Sequence, residues 1–143
     1  MSELLANVSC VAMRGRGILI MGEPGSGKSS LALALLDRGA ELVGDDGVTL
    51  EQEADKIIAS PPPNTAGLIE IRNVGLLEVP TATAPIAIVV NLTPEAERLP
   101  LGTGEALLLG RPVPQVDLFP DTPALPLRAE AALEIHGQNF DTE

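Results

Sequence analysis

The sequence predicts an α/β fold, and three observations support this prediction. An apolar run, a glycine-rich loop and a helical pattern follow one another around residues 22–29, which makes a strand–loop–helix unit. Residues 85–91 are almost continuously apolar, as expected of a strand buried in the centre of a sheet. Residues 127–135 have an amphipathic helical pattern. We expect the whole chain, residues 1–143, to form a single domain.

A β-hairpin is predicted ahead of the loop. Residues 7–13 are rich in β-forming side chains, and a second apolar run at residues 17–21 follows a short glycine-containing turn. Cys10 is the single cysteine, so the chain forms neither an internal disulfide nor a cysteine-cluster metal site. We therefore expect Cys10 to act as a small apolar side chain on the first strand of the hairpin.

The stretch GEPGSGKS at residues 22–29 matches the pattern of a phosphate-binding loop. Its glycines let consecutive backbone N–H groups curl around an anion, and the following helix directs its positive end to the same point. Lys28 adds a full charge, and Ser29 is placed to offer its hydroxyl to a phosphate-bound Mg²⁺. The predicted phosphate and nucleotide contacts are Gly22, Glu23, Pro24, Gly25, Ser26, Gly27, Lys28, Ser29 and Ser30.

The helix after the loop is predicted to run from Lys28 to Arg38. Leu31 and Leu35 fall at helical spacing and are expected to pack on the sheet. Gly39 is expected to end the helix, because glycine adopts the left-handed conformation that helix ends favour.

Two adjacent carboxylates, Asp45 and Asp46, follow a short apolar strand at residues 42–43. Ligands of α/β folds gather at the carboxyl ends of parallel strands, so both acids are expected near the phosphate site. Neighbouring side chains on an extended segment point in different directions, which allows one Asp to face a metal and the other a substrate hydroxyl. The alternative is an Asp-Asp-Gly turn that leads into a strand at residues 48–50.

Glu70 and Arg72 are two residues apart in the segment 68–79, so they are predicted to project from the same side of a strand. Such a pair suits an Mg²⁺-associated carboxylate with a phosphate-clamping arginine. The alternative is an exposed ion pair of little energetic value, which the two residues alone favour.

Later segments are less informative. The helix at residues 127–135 is predicted to bury Leu127 and Ala131, together with either Ile135 or Ala132. The sequence assigns no role to Arg98, Arg128 or His136.

Composition excludes one large class of partners. The net charge is −11 and aromatic residues make up 1% of the chain, so a nucleic-acid backbone would be repelled and its bases would find no stacking platform. No segment approaches the run of about 18 apolar residues that a membrane-spanning helix needs. We expect a cytoplasmic protein that binds neither nucleic acid nor membrane.

Three stretches, GEPGSGKS at 22–29, LVGDD at 42–46 and EIRNVG at 70–75, together resemble the catalytic domain of the HPr kinase/phosphorylase family. The resemblance implies a compact phosphate-loop kinase domain, akin to phosphoenolpyruvate carboxykinase, with a mixed sheet and few helices. It also implies a kinase that uses ATP and Mg²⁺ and phosphorylates a serine of HPr, a phosphocarrier protein of the bacterial phosphotransferase system.

The resemblance also implies roles for individual residues. Lys28 and the loop amides would form the phosphate cradle, Asp45 would be the catalytic acid/base, and Arg72 would belong to the catalytic signature. The implied metal ligands are Ser29, Asp46 and Glu70.

Three positions depart from the family pattern. Ser30 stands where an acid is usual, Asn73 where a glycine is usual, and Asn7 where a histidine usually precedes the first strand. These departures favour an alternative, a nucleotide-binding regulatory or sensor module with lost or altered phosphotransfer, and a kinase of another acceptor is a third reading. The reverse, phosphorylase reaction stays open, as does the choice between a monomer and a homo-oligomer.

Overall fold

The computed structural model describes residues 2–120 and 123–140. Within these residues it contains eleven strands and two helices. The first six strands are β1 Ser2–Ala6, β2 Ser9–Met13, β3 Arg16–Gly22, β4 Glu41–Gly44, β5 Gly47–Glu53 and β6 Lys56–Ser60. The later strands are β7 Leu68–Ile71, β8 Gly75–Glu78, β9 Ala84–Leu92, β10 Gly104–Leu108 and β11 Arg111–Leu118. The helices are α1 Lys28–Asp37 and α2 Leu125–His136.

Nine of these strands form one mixed sheet with β9 at its centre. The main path has the order β1-β5-β6-β9-β3-β2-β4. One edge of β9 pairs in parallel with β3. The start of its other edge pairs antiparallel with β6, and the end of that edge pairs in parallel with β11. Strand β10 extends the sheet from β11, and β7 and β8 form a separate two-stranded hairpin. A mixed sheet with two helices agrees with the predicted fold.

The two parallel strands β3 and β9 are buried on both faces of the sheet. Ile18 and Ile20 pack in an apolar cluster with side chains of both helices, whereas Leu19, between them, packs in a second cluster with side chains of β5 and β6. Alternate residues of a strand point to opposite faces, so burial on both faces requires a continuous apolar run. This explains why the sequence of the predicted central strand, residues 85–91, is apolar without alternation.

The predicted hairpin and loop helix are confirmed. Strands β2 and β3 pair antiparallel across the turn at residues 14–15, and Cys10 is fully buried in β2. Burial raises the pKa of the Cys10 thiol well above its usual range, so it stays a neutral apolar side chain. Helix α1 buries Leu31 and Leu35, and Gly39 follows it with a left-handed φ of +105°.

The predicted inner face of α2 is wrong for Leu127 and Ala131, and of the two alternatives for its third residue Ala132 is correct and Ile135 is not. The buried residues are Leu125, Ala129, Ala132 and Leu133, whereas Leu127, Ala131 and Ile135 are exposed. The helix begins at Leu125, two residues before the predicted start, and Leu125 sets the phase of the buried stripe. Only Ala132 of the predicted set lies inside.

The path of the sheet brings the ends of several strands to one edge. Strand β4 pairs antiparallel with β2, which pairs antiparallel with β3, so β3 and β4 run in the same direction with β2 between them. Strand β9 is parallel to β3 as well. The carboxyl ends of β3, β4 and β9 therefore lie at the edge that carries the phosphate loop. Neither helix in the described part of the chain has the length and apolar character needed to cross a membrane.

Candidate active site

The loop at residues 22–29 has the backbone that an anion-binding turn requires. Gly27 directly precedes α1 with a left-handed φ of +100°. A Cβ atom on Gly22 would lie 2.5 Å from the Ser26 Oγ, so a larger residue there would disturb the loop. Helix α1 begins at Lys28, and its unpaired amino-terminal N–H groups favour an anion at this point.

Lys28 lies folded across the loop. Its Nζ donates hydrogen bonds to the backbone carbonyl oxygens of Gly22, at 2.8 Å, and Glu23, at 3.1 Å. These bonds hold the ammonium group at the loop, where a bound phosphate would compete for it.

One cavity of about 320 Å³, here called the phosphate-side cavity, collects most of the predicted site. Four separate segments supply its walls: the turn between β1 and β2, the loop with the start of α1, the turn after β4, and the hairpin β7–β8. Its predicted members are Pro24, Gly25, Gly27, Lys28, Ser29, Ser30, Asp46, Glu70 and Arg72, and Asn7 completes the lining.

Asp45 lies buried beside this cavity and holds three segments together. Only 5% of its surface is exposed. Its Oδ1 accepts hydrogen bonds from the hydroxyls of Ser29, at 2.7 Å, and Ser9, at 2.8 Å. Its Oδ2 accepts a hydrogen bond from the backbone N–H of Glu70, at 3.1 Å. The carboxylate thus links α1, β2 and β7.

Asp46 points the other way. It is exposed and lines the phosphate-side cavity, and its φ of +66° lies in the left-handed region. The backbone N–H of Asn7, between β1 and β2, donates a hydrogen bond to the Asp46 carbonyl oxygen at 3.1 Å and so stabilises this turn. The two neighbouring carboxylates are therefore divided, one into the protein and one into the cavity. They do so in a bend between β4 and β5, so the prediction of an extended segment is wrong, and the alternative of an Asp-Asp-Gly turn that leads into a strand is correct.

Glu70 and Arg72 meet the cavity from the hairpin. Strand β7 ends at Ile71, so Arg72 belongs to the turn and the prediction of one shared strand is wrong for it. Both residues are nevertheless exposed cavity-lining residues. No salt bridge joins them in the part of the chain that the structure describes.

The sequence reasoning missed Ser9, whose hydroxyl binds Asp45. Ser9 and Asp45 are the buried polar or charged residues of the described chain. The available signal was a lone serine between Val8 and Cys10 in an apolar strand, since a buried hydroxyl needs a partner.

The remaining candidates lie elsewhere. Gly22, Glu23 and Ser26 line a second cavity on the β9 side of the loop, here called the strand-end cavity. Arg98 and Arg128 are exposed and line neither cavity, and His136 lines a third cavity with Asp117.

The oxygen atoms around Ser29 fit a magnesium ion held together with phosphate. The described residues contain no group of three or more His, Cys, Asp or Glu side chains that could hold a metal by themselves. Mg²⁺ does not require one, because it is usually bound through one or two carboxylates with waters and substrate phosphates. The Ser29 hydroxyl oxygen and the Asp45 carboxylate oxygen, which lie 2.7 Å apart, are oxygen ligands of this kind.

Comparison with known proteins identifies the family. Residues 2–118 match the family described as HPr Serine kinase C-terminal domain. Curated proteins named HPr kinase/phosphorylase are similar: the one from Cupriavidus necator is 39% identical over 117 residues, which is 73% of this chain and 36% of that protein. The one from Lacticaseibacillus casei is 35% identical over 120 residues, which is 74% of this chain and 38% of that protein. The aligned part is thus well under half of either relative.

A solved structure confirms the fold. The structure titled Hpr(Ser) kinase/phosphatase from Coxiella burnetii aligns with 94% of this chain and 90% of its own, with a TM-score of 0.79 and 32% sequence identity. The family match and this structural likeness agree on an α/β domain with a mixed sheet and two helices. The chain belongs to the HPr Serine kinase C-terminal domain family.

Proposed function

We propose that this chain is a serine kinase that uses ATP and Mg²⁺ and transfers the γ-phosphoryl group to an HPr-like phosphocarrier protein. The observation that supports this most is the meeting of Lys28, Ser29, Asp46 and Arg72 around one cavity. The names of the relatives supply the acceptor. We further propose that residues 1–143 act as one catalytic domain, and that the reaction takes place in the cytoplasm, where ATP is available.

Phosphate binding is assigned to the loop and two cations. The amides at the start of α1 and the Lys28 ammonium would hold the phosphate chain, with Lys28 exchanging its carbonyl partners for phosphate oxygens. Arg72 would contact the transferred group from the hairpin side of the cavity. Phosphoryl transfer depends mostly on positioning and charge stabilisation, which these groups supply.

The metal is assigned to Ser29, Asp45 and Glu70. When bound, Mg²⁺ neutralises negative charge on the phosphates. The buried Asp45 keeps the Ser29 hydroxyl at the end of the loop through a 2.7 Å hydrogen bond, and Glu70 lines the same cavity as Ser29. Asp45 also fixes the start of the hairpin that carries Glu70, through the Glu70 N–H.

The acid/base role is assigned to Asp46, which exchanges the roles that the sequence suggested for the two aspartates. An acid/base group must come within hydrogen-bonding distance of the reacting hydroxyl. Asp46 is exposed in the cavity, whereas both carboxylate oxygens of Asp45 already accept hydrogen bonds from the protein. The serine oxygen would bond to the γ-phosphorus, the bond to the ADP oxygen would break, and the serine proton would pass to Asp46.

Phosphate transfer to purified HPr tests the function. The chain is incubated with labelled ATP, Mg²⁺ and HPr, and label on HPr is measured with ATP affinity. We expect Asp46→Asn to lower transfer by at least about a hundredfold while ATP still binds. Asp55→Asn, in an exposed turn, is the matched control. Normal transfer by Asp46→Asn would refute its acid/base role.

One observation favours a second function, that of a nucleotide-binding sensor. Asn7 lines the phosphate-side cavity, and an amide side chain does not exchange a proton as a histidine does. ATP binding without any transfer to HPr would support the sensor and contradict the kinase. Consumption of ATP without label on HPr would instead support a kinase of another acceptor.

A further inference from the structure

The turn between β1 and β2 lies beside the turn that carries the two aspartates. Strand β1 pairs antiparallel with β5, where Ala6 is opposite Gly47. Strand β2 pairs antiparallel with β4, where Cys10 is opposite Gly44. The chain therefore passes from β1 to β2 at the same place where it passes from β4 to β5. Two turns that are distant in the sequence are brought together by these pairings.

Ser9 and Asn7 each contact a different aspartate. The Ser9 hydroxyl donates a hydrogen bond to the Asp45 Oδ1 at 2.8 Å, and both residues are buried, with 1% and 5% of their surface exposed. The backbone N–H of Asn7 donates a hydrogen bond to the Asp46 carbonyl oxygen at 3.1 Å. The first contact holds a side chain, and the second holds the backbone of the turn.

The backbone on both sides of the second contact needs support. The φ angles are +64° at Asn7 and +66° at Asp46, in the left-handed region. Residues other than glycine adopt this conformation at a cost in free energy, so it persists only where neighbouring contacts hold it. The hydrogen bond between the two turns is such a contact. It stabilises the turn at which Asp46 lines the phosphate-side cavity.

Asp45 depends on hydrogen bonds for its orientation. Among the described residues no Lys or Arg forms a salt bridge with it. Its three donors are the hydroxyls of Ser9 and Ser29 and the backbone N–H of Glu70. Ser29 and Glu70 line the phosphate-side cavity, whereas Ser9 lies in the buried strand β2 behind it. Because Ser9 and Ser29 donate to the same oxygen, Ser9 fixes the direction from which the carboxylate meets Ser29.

We propose that Ser9 and the backbone of Asn7 are positioning elements for phosphoryl transfer. Ser9 orients the Asp45 carboxylate toward Ser29, and the Asn7 N–H holds the turn that presents Asp46 to the cavity. This inference rests on the proposed function, which gives both aspartates a role in transfer. Small displacements of groups at a reacting centre lower the rate steeply. Loss of either contact should therefore act on kcat, while the loop and Lys28 still bind phosphate.

Steady-state transfer to HPr at saturating Mg²⁺ tests the role of Ser9. We expect Ser9→Ala to lower kcat about tenfold. The affinities for ATP and for inorganic tripolyphosphate, which is the phosphate chain without the nucleoside, should not change, since Ser9 lines neither cavity. Ser9→Thr keeps the hydroxyl and should have a higher kcat than Ser9→Ala.

The control for Ser9→Ala is a variant matched in stability. Ile57 is buried in β6 and lines neither cavity. Ile57→Val removes one methylene group, which costs about as much stability as one hydrogen bond. It should leave kcat unchanged, because the loss of stability occurs away from the aspartates.

A pair of variants tests the backbone of Asn7. Asn7→Gly and Asn7→Ala both remove the amide side chain from the cavity and keep the backbone N–H. Glycine adopts the left-handed conformation without strain and alanine does not. We therefore expect kcat of Asn7→Ala to be about fivefold below that of Asn7→Gly.

The outcomes separate the inference from the proposed function. A kcat of Ser9→Ala equal to that of Ile57→Val would overturn the role of Ser9 and leave the proposed function standing. Equal kcat values for the two Asn7 variants would do the same for the Asn7 backbone. A wild-type chain that transfers no phosphate to HPr would refute the proposed function itself, and the inference with it.

Discussion

The two cavities beside the glycine-rich loop differ in size, charge and lining residues. The phosphate-side cavity measures about 320 Å³, contains two cations and two exposed carboxylates, and has a buried carboxylate behind it. The strand-end cavity measures about 580 Å³ and is lined by apolar side chains, amides and carboxylates. The difference teaches that the residues of one glycine-rich loop can form walls of two cavities of different character, one lined by cations and the other, among the described residues, by none.

Removing the loop lysine should have the largest effect on transfer, and it should act by weakening phosphate binding. Lys28→Ala deletes a positive charge aimed at the loop, so we expect transfer to fall by about a hundredfold or more. Binding of ATP and of tripolyphosphate should weaken by the same factor. The measurements are transfer to HPr and the two affinities.

The chain offers a matched control for this variant. Lys56 is the other lysine of the sequence, and its Nζ lies 5.6 Å from the centre of the Phe140 ring, away from both cavities. Lys56→Ala should leave transfer and both affinities unchanged. If Lys28→Ala weakened ATP binding but not tripolyphosphate binding, the assignment of the phosphates to its side of the loop would fail.

Neutralising Asp45 and Asp46 one at a time should show that the buried carboxylate stabilises the fold and that the exposed one contributes little. Asp45→Asn replaces a carboxylate oxygen with an NH₂ group where protein donors already point, so we expect a loss of about 1–3 kcal/mol in the free energy of unfolding. Asp46→Asn changes an exposed side chain and should stay within about 0.5 kcal/mol. Urea unfolding followed by circular dichroism measures both. Equal stabilities would contradict the structural role of Asp45.

Removing the hydroxyl of Ser9 should have a smaller effect of the same kind. Ser9→Ala deletes one of the three hydrogen bonds that Asp45 accepts, so we expect a loss of about 1 kcal/mol in the free energy of unfolding. The ratio of ATP affinity to tripolyphosphate affinity should not change, since Ser9 lines neither cavity.

Ser26→Ala is the comparison variant for this measurement. The Ser26 hydroxyl is buried without a partner in the described chain, so its removal should not lower stability. A loss as large as that of Ser9→Ala would show that the Ser26 hydroxyl is paired in solution.

The parts of the fold that follow from local patterns were predictable. The hairpin β2–β3, the helix α1 and the buried strand β9 each lie where their apolar periodicity placed them. Helix α2 was predicted, but most of its buried face was not, because Ala, Leu and Ile occur on several faces of this helix and leave them similarly apolar. The choice fell to Leu125, which only the packing against the sheet identifies.

The candidate site was predictable in its membership more than in its arrangement. Lys28, Ser29 and Asp46 were chosen from motif and spacing, whereas Glu70 and Arg72 were chosen through the family resemblance. All five line one cavity. Which of Asp45 and Asp46 is buried could not be predicted, because adjacent carboxylates are chemically identical until one of them meets hydrogen-bond donors. Ser9 could not be selected, since its partner lies 36 residues further along the chain.

The sequence by itself determined the glycine-rich loop and the helix that follows it, because glycine spacing and a helical pattern are local features. It also determined that the core is aliphatic, with few aromatic side chains available. Only the tertiary structure decided which aspartate is buried and which faces the cavity, and that a second, cation-poor cavity lies on the β9 side of the loop. The physical reason is that burial, hydrogen-bond partners and cavity walls come from segments distant in the chain, which meet only when the sheet is assembled.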